Sequence, residues 1–251
     1  MRIIAFTNQK GGVGKTTSVV NIGAGLARSG KKVLLIDLDP QANLTASLGF
    51  DVEALEETIY DLLLGKASVD SITLPKNDFF ILPSSLDLSG AEIALASVVG
   101  RETILKRSLA KTKGYDYILI DCPPSLGLLT LNAFTTAQEI IIPVQTEFLS
   151  LRGMRKLLET IEVVRERLND NLSITGIIAT LYDGRKSLHK EAIGKLQEHF
   201  GEKMFKTFVR DTVALAESQS FGEPIFNYKS NSYAAEDYTA LCTEILTRTN
   251  S

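Results

Sequence analysis

The sequence has no tryptophan, only two cysteines and no long hydrophobic run. Cys122 and Cys242 lie far apart without a CxxC or metal-type spacing, so we expect two reduced thiols, no disulfide and no zinc site. The longest apolar stretches are strand-sized, well short of the ~20 residues that span a bilayer. The N-terminus, MRIIAFTNQK, lacks the longer apolar core of a secretory signal. These features favour a cytoplasmic protein without a membrane anchor.

The sequence also lacks a strong excess of charge of one sign. Its formal net charge is -3, so any affinity for a polyanion would have to come from a local basic patch. Apolar residues make up 44% and charged residues 23%, which is the balance of an ordinary globular protein. A chain of 251 residues could form one large domain or two small ones, and we favour a single domain over residues 1–251.

Short runs rich in Ile, Leu and Val alternate with longer helical patterns. The runs VLLID, ILID and EIIIPV are apolar at successive positions, as strands covered on both faces should be. The pattern predicts a three-layer α/β/α fold with a mostly parallel, twisted sheet. The predicted strands are 3–6, 32–37, 79–82, 117–121, 139–144 and 174–180. The predicted helices are 16–29, 91–113, 150–169, 188–200 and 234–248. The stretch 51–78 is expected to be loop and short helix.

The segment NQKGGVGKTT follows the first predicted strand and opens a helix rich in small residues. Its second half fits the phosphate-binding P-loop, G-x-x-x-x-G-K-[ST], although Gln9 occupies the position of the first glycine. The glycines let successive backbone N–H groups face an anion at a helix N-terminus. Lys15 would contact the β- and γ-phosphates and the Thr16 hydroxyl would contact Mg²⁺. The predicted nucleotide-binding residues of this loop are Gly11, Gly12, Val13, Gly14, Lys15, Thr16 and Thr17.

Lys10 is a second lysine that the ordinary P-loop does not need. The string KGGVGKT resembles the altered Walker A motif, KGGxxK[ST], of the ParA/MinD class of P-loop ATPases. The resemblance implies ATP or ADP and Mg²⁺ as cofactors, slow ATP hydrolysis and an ATP-dependent homodimer. It also implies that Lys10 reaches the nucleotide of the partner subunit, where it would neutralise charge and take part in catalysis. The alternative is that Lys10 serves its own subunit's phosphates or solvent.

Carboxylates follow two of the buried strands. Asp121 ends YDYILID and precedes CPPSLG, similar to the family's Walker B and switch II segment, which implies that Asp121 holds a metal-bound water. Asp37 and Asp39 lie in DLDPQANLT, similar to switch I. That match assigns Asp39 to hydrolysis, through the attacking water or the magnesium shell. For Asp37 the favoured interpretation is helix capping, which stays open for Asp39 as well.

Two later segments carry weaker expectations for the nucleotide. TGIIATLYDG ends a strand near Thr180, where the family contacts adenine, and FVRDTVALAES carries Arg210 and Asp211. An ordinary loop role is nearly as probable for each of these residues. The chain end, AAEDYTALCTEILTRTNS, has balanced charges and a core-facing apolar stripe. It differs from the basic amphipathic helix of MinD proteins, so membrane targeting is disfavoured.

The resemblance to ParA/Soj proteins implies non-specific DNA binding by the ATP-bound dimer and stimulation by a ParB-type centromere-binding protein. Residues 185–210 contain seven Lys or Arg against three Glu, a modest basic excess that is also typical of a solvated face. Ala214 stands where Soj-type members carry arginine, and YKSNSY replaces a segment with further arginines. DNA contact would then depend on Arg185, Lys186 and Lys229, with nucleoid association in the cytoplasm as its consequence.

Three functions remain open from the sequence. The first is a ParA/Soj-type Mg²⁺-ATPase acting in chromosome or plasmid partitioning. The second is a ParA-like switch that positions a protein complex or regulates replication, with weak or no DNA binding. The third is a small-molecule ligase or synthetase with the same altered P-loop, for which no acceptor residues are evident.

Overall fold

The computed structural model describes residues 1–146 and 151–248, with side chains from 154 onward in the second range. Seven strands form one sheet in the order β3-β4-β2-β5-β1-β6-β7. All neighbouring pairs are parallel except β3 and β4. The strands are β1 Arg2–Phe6, β2 Val33–Asp37, β3 Leu74–Lys76, β4 Phe79–Leu82, β5 Tyr117–Asp121, β6 Glu139–Gln145 and β7 Ser173–Thr180.

The three central strands, β2, β5 and β1, are almost wholly buried because helices cover both faces of the sheet. Alternate residues of β1 face opposite cores. Ile3 and Ala5 pack in one apolar cluster, and Ile4 and Phe6 pack in the other. The predicted three-layer α/β/α fold and the predicted parallel strands are therefore confirmed.

Twelve α-helices lie in the described part of the chain. They are α1 Lys15–Arg28, α2 Asn43–Ser47, α3 Ile59–Leu63, α4 Val69–Ile72, α5 Ala91–Ala94, α6 Ile104–Leu109, α7 Leu128–Thr136, α8 Leu151–Arg167, α9 Ser187–Phe200, α10 Val213–Ser220, α11 Ile225–Tyr228 and α12 Tyr233–Thr247. Single 3₁₀ turns occupy Val52–Ala54, Leu86–Gly90, Arg101–Thr103 and Gly201–Lys203. The predicted first and last helices and the helix at 188–200 are confirmed within a residue or so. The start predicted at residue 150 lies outside the described residues.

The predicted continuous helix over 91–113 is wrong. The chain forms α5, then an irregular segment with the 3₁₀ turn, and then α6. The run Val98-Val99-Gly100 contains two β-branched residues and a glycine, which are poor helix formers. The interruption leaves Ile93 and Val99 84% and 92% exposed, so this segment is not the buried face of one long helix.

The sequence pattern also did not predict helices α7 and α10 or the short antiparallel strand β3. Strand β3 lies at the edge of the sheet. It contains Pro75, which lacks a backbone donor and is tolerated at a sheet edge. The surrounding stretch 51–78 otherwise consists of loop and short helices, as predicted. No helix in the described residues is long and apolar enough to cross a membrane.

Both cysteines are buried and neither forms a disulfide, as predicted. Cys122 packs in the core that contains β5 and α7, and its backbone N–H donates to the Phe6 carbonyl at 3.1 Å. Burial raises the pKa of the Cys122 thiol well above its ordinary value. Packing is therefore the structural role of this residue beside Asp121.

Candidate active site

The glycine loop joins the carboxyl end of β1 to α1. Gly12 and Gly14 have φ values of 72° and 78°, in the left-handed region that favours glycine. Gly14 is the N-cap of α1, where no side chain caps the helix and the first turn carries no acidic residue. The first backbone N–H groups of α1 are therefore available to an anion, and the helix dipole favours negative charge at this end.

Two hydrogen bonds tie this loop to strands β6 and β7. The Asn8 Nδ2 donates to the Pro143 carbonyl at 2.7 Å, and the Thr180 Oγ1 donates to the Val13 carbonyl at 2.8 Å. Thr180 is only 2% exposed and its side chain lies about 3.7 Å from where a Cβ on Gly14 would be. The structure thus gives Thr180 a loop-supporting contact.

Asp121 ends β5 beside the loop, because its register partners are Phe6 on β1 and Asp37 on β2. Its Oδ2 accepts a hydrogen bond from the Thr16 Oγ1 at 2.6 Å. Its Oδ1 is buried without a hydrogen-bond partner among the described residues. Burial raises the pKa of Asp121 to about 8, and the nearby charge of Asp37 adds to the shift. A buried carboxylate with an unsatisfied oxygen is costly unless a cation or a proton compensates it.

Asp37 and Asp39 differ in their surroundings. The Asp37 Oδ2 accepts from both the backbone N–H and the Oγ1 of Thr45, at 2.9 and 2.7 Å, in the first turn of α2. This supports the capping interpretation of Asp37, whose pKa burial raises to about 6. The Asp39 Oδ1 accepts from the Gln41 N–H at 3.0 Å, and Asp39 lines the cleft described below.

Lys10 is exposed at the mouth of the loop. Its Nζ donates to the Gln145 Oε1 at 2.8 Å, and Gln145 ends β6. Lys15, in contrast, is 7% exposed. The two lysines of the motif therefore point to different environments, one at the surface and one inside the site.

A cleft of about 550 Å³ lies over the loop, within the usual size range of ligand pockets. Gln41, Asn43, Ala46 and Ser47 line one wall, and Ala216, Gln219 and Ser220 line the other. The Gln219 Nε2 donates to the Thr17 Oγ1 at 2.9 Å, which ties α10 to the start of α1. The cleft is open enough to admit a charged ligand above the loop.

A smaller cavity of about 160 Å³ adjoins the cleft, since Gly14, Thr17, Ala216 and Gln219 line both. Thr180, Asp211 and Thr212 also line it. The Thr212 Oγ1 is buried without a hydrogen-bond partner among the described residues. No sequence pattern pointed to Thr212, Gln219 or the buried Tyr238 in this wall, although Thr212 adjoins the predicted Asp211.

Arg210 faces away from this cavity. Its guanidinium bonds both oxygens of Asp237, with an Nη2–Oδ1 distance of 2.6 Å, and its Cζ lies 4.4 Å from the ring centre of Tyr233. The ion pair to Asp237 raises the pKa of Arg210. The geometry ties Arg210 to α12, whereas its neighbour Asp211 lines the cavity.

The three predicted DNA contacts lie on the surface. Arg185 is exposed but forms a fork with Asp183, at 2.9 and 2.8 Å, so its charge is largely matched locally. Lys186 is the N-cap of α9 and Lys229 is the C-cap of α11, and both are exposed. Of the other basic residues in 185–210, Lys195 pairs with Glu191 at 2.6 Å.

The oxygen donors at the loop fit a magnesium ion. The Thr16 hydroxyl and the Asp121 carboxylate are hard oxygen ligands. The Asp121 Oδ1, which has no hydrogen-bond partner among the described residues, could accept a cation or a water bound to that cation. Within residues 1–146 and 151–248, no group of three or more His, Cys, Asp or Glu side chains is arranged to hold a metal ion. The fit to Mg²⁺ rests on the two oxygen ligands that are present, because Mg²⁺ keeps several waters and takes few protein ligands.

This fold and site define a P-loop nucleotide hydrolase. A family model for an AAA domain (AAA_31) matches residues 1–174. The chain is 47% identical to the chromosome-partitioning ATPase Soj of Treponema pallidum, over 98% of both chains. It is 45% identical to the sporulation initiation inhibitor protein Soj of Bacillus subtilis, over 97% of this chain and 98% of that one.

Among solved structures, a protein of Mycobacterium smegmatis described as cobyrinic acid a,c-diamide synthase superimposes with a TM-score of 0.88 and 37% identity. The match covers 98% of this chain and 94% of that one, which was crystallised with an ATP analogue and magnesium. The chain belongs to the Soj/ParA family of P-loop ATPases. The family resemblance and the class of ATP-hydrolysing enzyme predicted from the sequence are thereby confirmed.

Proposed function

We propose that this chain is a Mg²⁺-ATPase of the ParA/Soj type that dimerises on ATP, binds DNA without sequence preference and acts in chromosome or plasmid partitioning in the cytoplasm. The observation that carries the ATPase part is the pair formed by Thr16 and Asp121 beside the glycine loop. The ATP analogue and magnesium in the related M. smegmatis structure support the same cofactors here.

Within the site, the backbone N–H groups of 11–16 and the Lys15 ammonium bind the phosphates and orient the terminal one. The Thr16 hydroxyl and Asp121 hold Mg²⁺ and its water, and the ion supplies charge neutralisation at the phosphates. Asp39, at the start of the segment that leads into α2, orients the attacking water. The smaller cavity beside Gln219 receives the base, with Thr180, Asp211 and Thr212 in its wall.

The proposed dimer uses Lys10 in trans. Two nucleotides facing each other bring strong negative charge into one interface, and a cation from each subunit offsets it. Lys10 is exposed at the mouth of the loop and Lys15 is buried. This difference supports separate roles, with Lys15 on the phosphates of its own subunit and Lys10 on those of the partner subunit. On dimerisation the Lys10 Nζ would exchange its contact with Gln145 for a phosphate of the partner subunit.

DNA binding and a ParB-type partner that stimulates hydrolysis complete the proposal. Their support is the family membership and the exposed Lys186 and Lys229. A second function, a ParA-like switch with weak or no DNA binding, is favoured by one specific observation. Arg185 and Arg210 are both paired with carboxylates, which leaves less unmatched positive charge for DNA.

A gel shift on non-specific duplex DNA separates these two functions. The wild type is measured with Mg-ATP, with Mg-ADP and without nucleotide, at several salt concentrations, and Lys10→Ala serves as the dimer-deficient control. We expect the DNA band to shift with Mg-ATP but not with Mg-ADP or without nucleotide. The shifted fraction should fall steeply as the salt concentration rises, and Lys10→Ala should give no shift. No ATP-dependent shift even at low salt would reject DNA binding and leave the switch function.

A further inference from the structure

Two glycines from distant parts of the chain meet backbone to backbone at the end of the cleft. Gly49 follows α2 and Gly222 follows α10. A Cβ added to Gly222 would lie 2.7 Å from the Cα and 2.9 Å from the N of Gly49. A Cβ added to Gly49 would lie 3.4 Å from the Gly222 Cα. Because these neighbouring atoms belong to the backbone and not to a flexible side chain, a Cβ could fit here only if one of the two backbone segments moved.

This contact joins the two walls of the cleft. The α2 wall contributes Asn43 and Ser47 and is preceded by Asp39, and the α10 wall contributes Gln219. Leu48, next to Gly49, and Leu215 of α10 pack in the same apolar core, which fixes the two walls side by side. The separation of the walls at this end is therefore set by how closely Gly49 and Gly222 approach.

The α10 wall is the fixed reference for this distance. Gln219 bonds Thr17 of α1 at 2.9 Å, and the Ile225 N–H that follows Gly222 donates to the Asn21 Oδ1 at 2.8 Å. The α2 wall is short, and its side-chain hydrogen bonds to the rest of the chain lie at its start. Thr45 donates to Asp37, and Ser84 donates to Thr45 and to the Asp39 carbonyl. The far end of α2, with Leu48 and Gly49, is held by apolar packing. A larger residue at position 222 would therefore displace α2 rather than α10.

We propose that Gly49 and Gly222 are positioning residues for ATP hydrolysis: their contact holds α2, and with it the segment that carries Asp39, at the distance the terminal phosphate requires. The inference rests on the proposed function only in that ATP occupies this cleft. Neither glycine touches the nucleotide, and both act through the placement of Asp39.

The test is Gly222→Ala beside a control with the same backbone strain. Gly222 has a φ of 68° and Gly65 has a φ of 72°, but a Cβ on Gly65 would meet nothing within 4 Å. Both variants therefore carry the strain of an alanine in the left-handed region, and only Gly222→Ala adds a steric clash with the Gly49 backbone. Gly49→Ala, with its 3.4 Å contact, is a milder variant if Gly222→Ala folds poorly.

We expect Gly222→Ala to lower kcat for ATP by about 10-fold, because a displacement of about 1 Å misplaces the group that orients the water. Its Kd for ADP should change less than about 3-fold, since the loop and α10 stay in place. Gly49→Ala should have a smaller effect in the same direction, and Gly65→Ala should keep the wild-type kcat. A kcat in Gly222→Ala equal to that of Gly65→Ala would overturn the proposal.

Hydrogen exchange gives a second measurement that needs no activity. Amides of residues 43–50 should exchange faster in Gly222→Ala than in Gly65→Ala, and amides of α1 should exchange equally in the two. Equal exchange in 43–50 would overturn the proposal. A wild type that hydrolyses no ATP would instead contradict the proposed function, while this comparison would still test the contact.

Discussion

The phosphate end of the cleft and the basic residues of 185–210 are built in opposite ways. At the phosphate end, Asn8, Thr16 and Thr180 hold the loop and its carboxylate in place through hydrogen bonds of 2.6–2.8 Å. On the surface, Arg185 donates hydrogen bonds to Asp183, and Arg210 donates hydrogen bonds to Asp237. At the phosphate end, the Asp121 Oδ1 has no hydrogen-bond partner among the described residues, and no side chain caps the first amides of α1. Among the basic residues, part of the positive charge is already paired with carboxylates.

The difference indicates where substitutions should matter most. A buried carboxylate such as Asp121 is costly and persists when a ligand compensates it. Exposed ion pairs such as Arg185 with Asp183 contribute little to stability and still reduce the field available to DNA. We therefore expect substitutions at the phosphate end to have large effects and those on the surface to have small ones.

The largest expected effect is at Lys15. Lys15→Ala removes the only buried cation among the described residues that line the cleft. Hydrolysis should fall on the order of 1000-fold, because in the proposed site this charge lies on the phosphates and away from water. Steady-state phosphate release measures the change. Lys111→Ala, at an exposed lysine remote in sequence from the loop, is the matched control and should keep wild-type turnover. Comparable activity in the two variants would remove Lys15 from the site.

The second effect combines activity and stability at Asp121. Asp121→Asn should lower Mg²⁺-dependent hydrolysis roughly 10- to 100-fold. The same change should stabilise the protein without nucleotide. The pKa of Asp121 rises from 3.8 to about 8 on folding, so the unfolded chain releases this proton first, and the free energy of unfolding falls as pH rises from about 4 to 8.

Thermal melts in EDTA at pH 5 and pH 8 test this stability change. The Tm advantage of Asp121→Asn over wild type should be larger at pH 8 than at pH 5. Asp37, whose pKa rises from 3.8 to about 6, adds a smaller loss of stability to both proteins, confined to the range from about pH 4 to pH 6. An advantage that is larger at pH 5 would contradict the assignment of an uncompensated, buried carboxylate at this position.

A smaller effect is expected at Arg210. Arg210→Ala breaks its ion pair with the largely buried Asp237 and should lower the free energy of unfolding by about 1 kcal/mol, because the guanidinium itself is partly screened by solvent. Urea unfolding measures this, with Arg185→Ala as the exposed control that should leave stability unchanged. ADP affinity in Arg210→Ala should stay within about 2-fold of wild type. A large loss of ADP affinity would restore the nucleotide contact predicted from the sequence.

The smallest effect is expected at Lys229. If this exposed lysine contacts a phosphate of DNA, Lys229→Ala should reduce the salt dependence of ATP-dependent DNA binding by about one unit of slope. Fluorescence anisotropy at several salt concentrations gives the slope, and Lys111→Ala again serves as the control. An unchanged slope would exclude Lys229 from the DNA-facing surface.

Local patterns predicted the strands and the loop, because their signals lie within a few residues. Buried parallel strands are continuously apolar, and the glycine loop carries its phosphate-binding geometry in consecutive positions. The sequence also predicted that Asp121 and Asp37 would each end a strand, and the structure shows that these two strands are neighbours. It missed β3, a three-residue edge strand with a proline, and it joined α5 and α6 into one helix.

Contacts between distant positions could not be predicted in this way. The partner of Arg210 is Asp237 on the last helix, and the partner of Thr180 is the Val13 carbonyl on the first loop. The approach of Gly49 to Gly222 likewise depends on how α2 and α10 pack. Each of these depends on tertiary packing, which no local spacing encodes.

The most direct test of the account is the mass of Asp39→Ala in solution, because the proposed role of Asp39 predicts that this variant binds ATP without hydrolysing it. Multi-angle light scattering should give twice the chain mass of 27.4 kDa with Mg-ATP, and 27.4 kDa with Mg-ADP or when Lys10→Ala is added. A single chain mass in Mg-ATP, with the nucleotide shown to be bound, would contradict the ATP-dependent dimer.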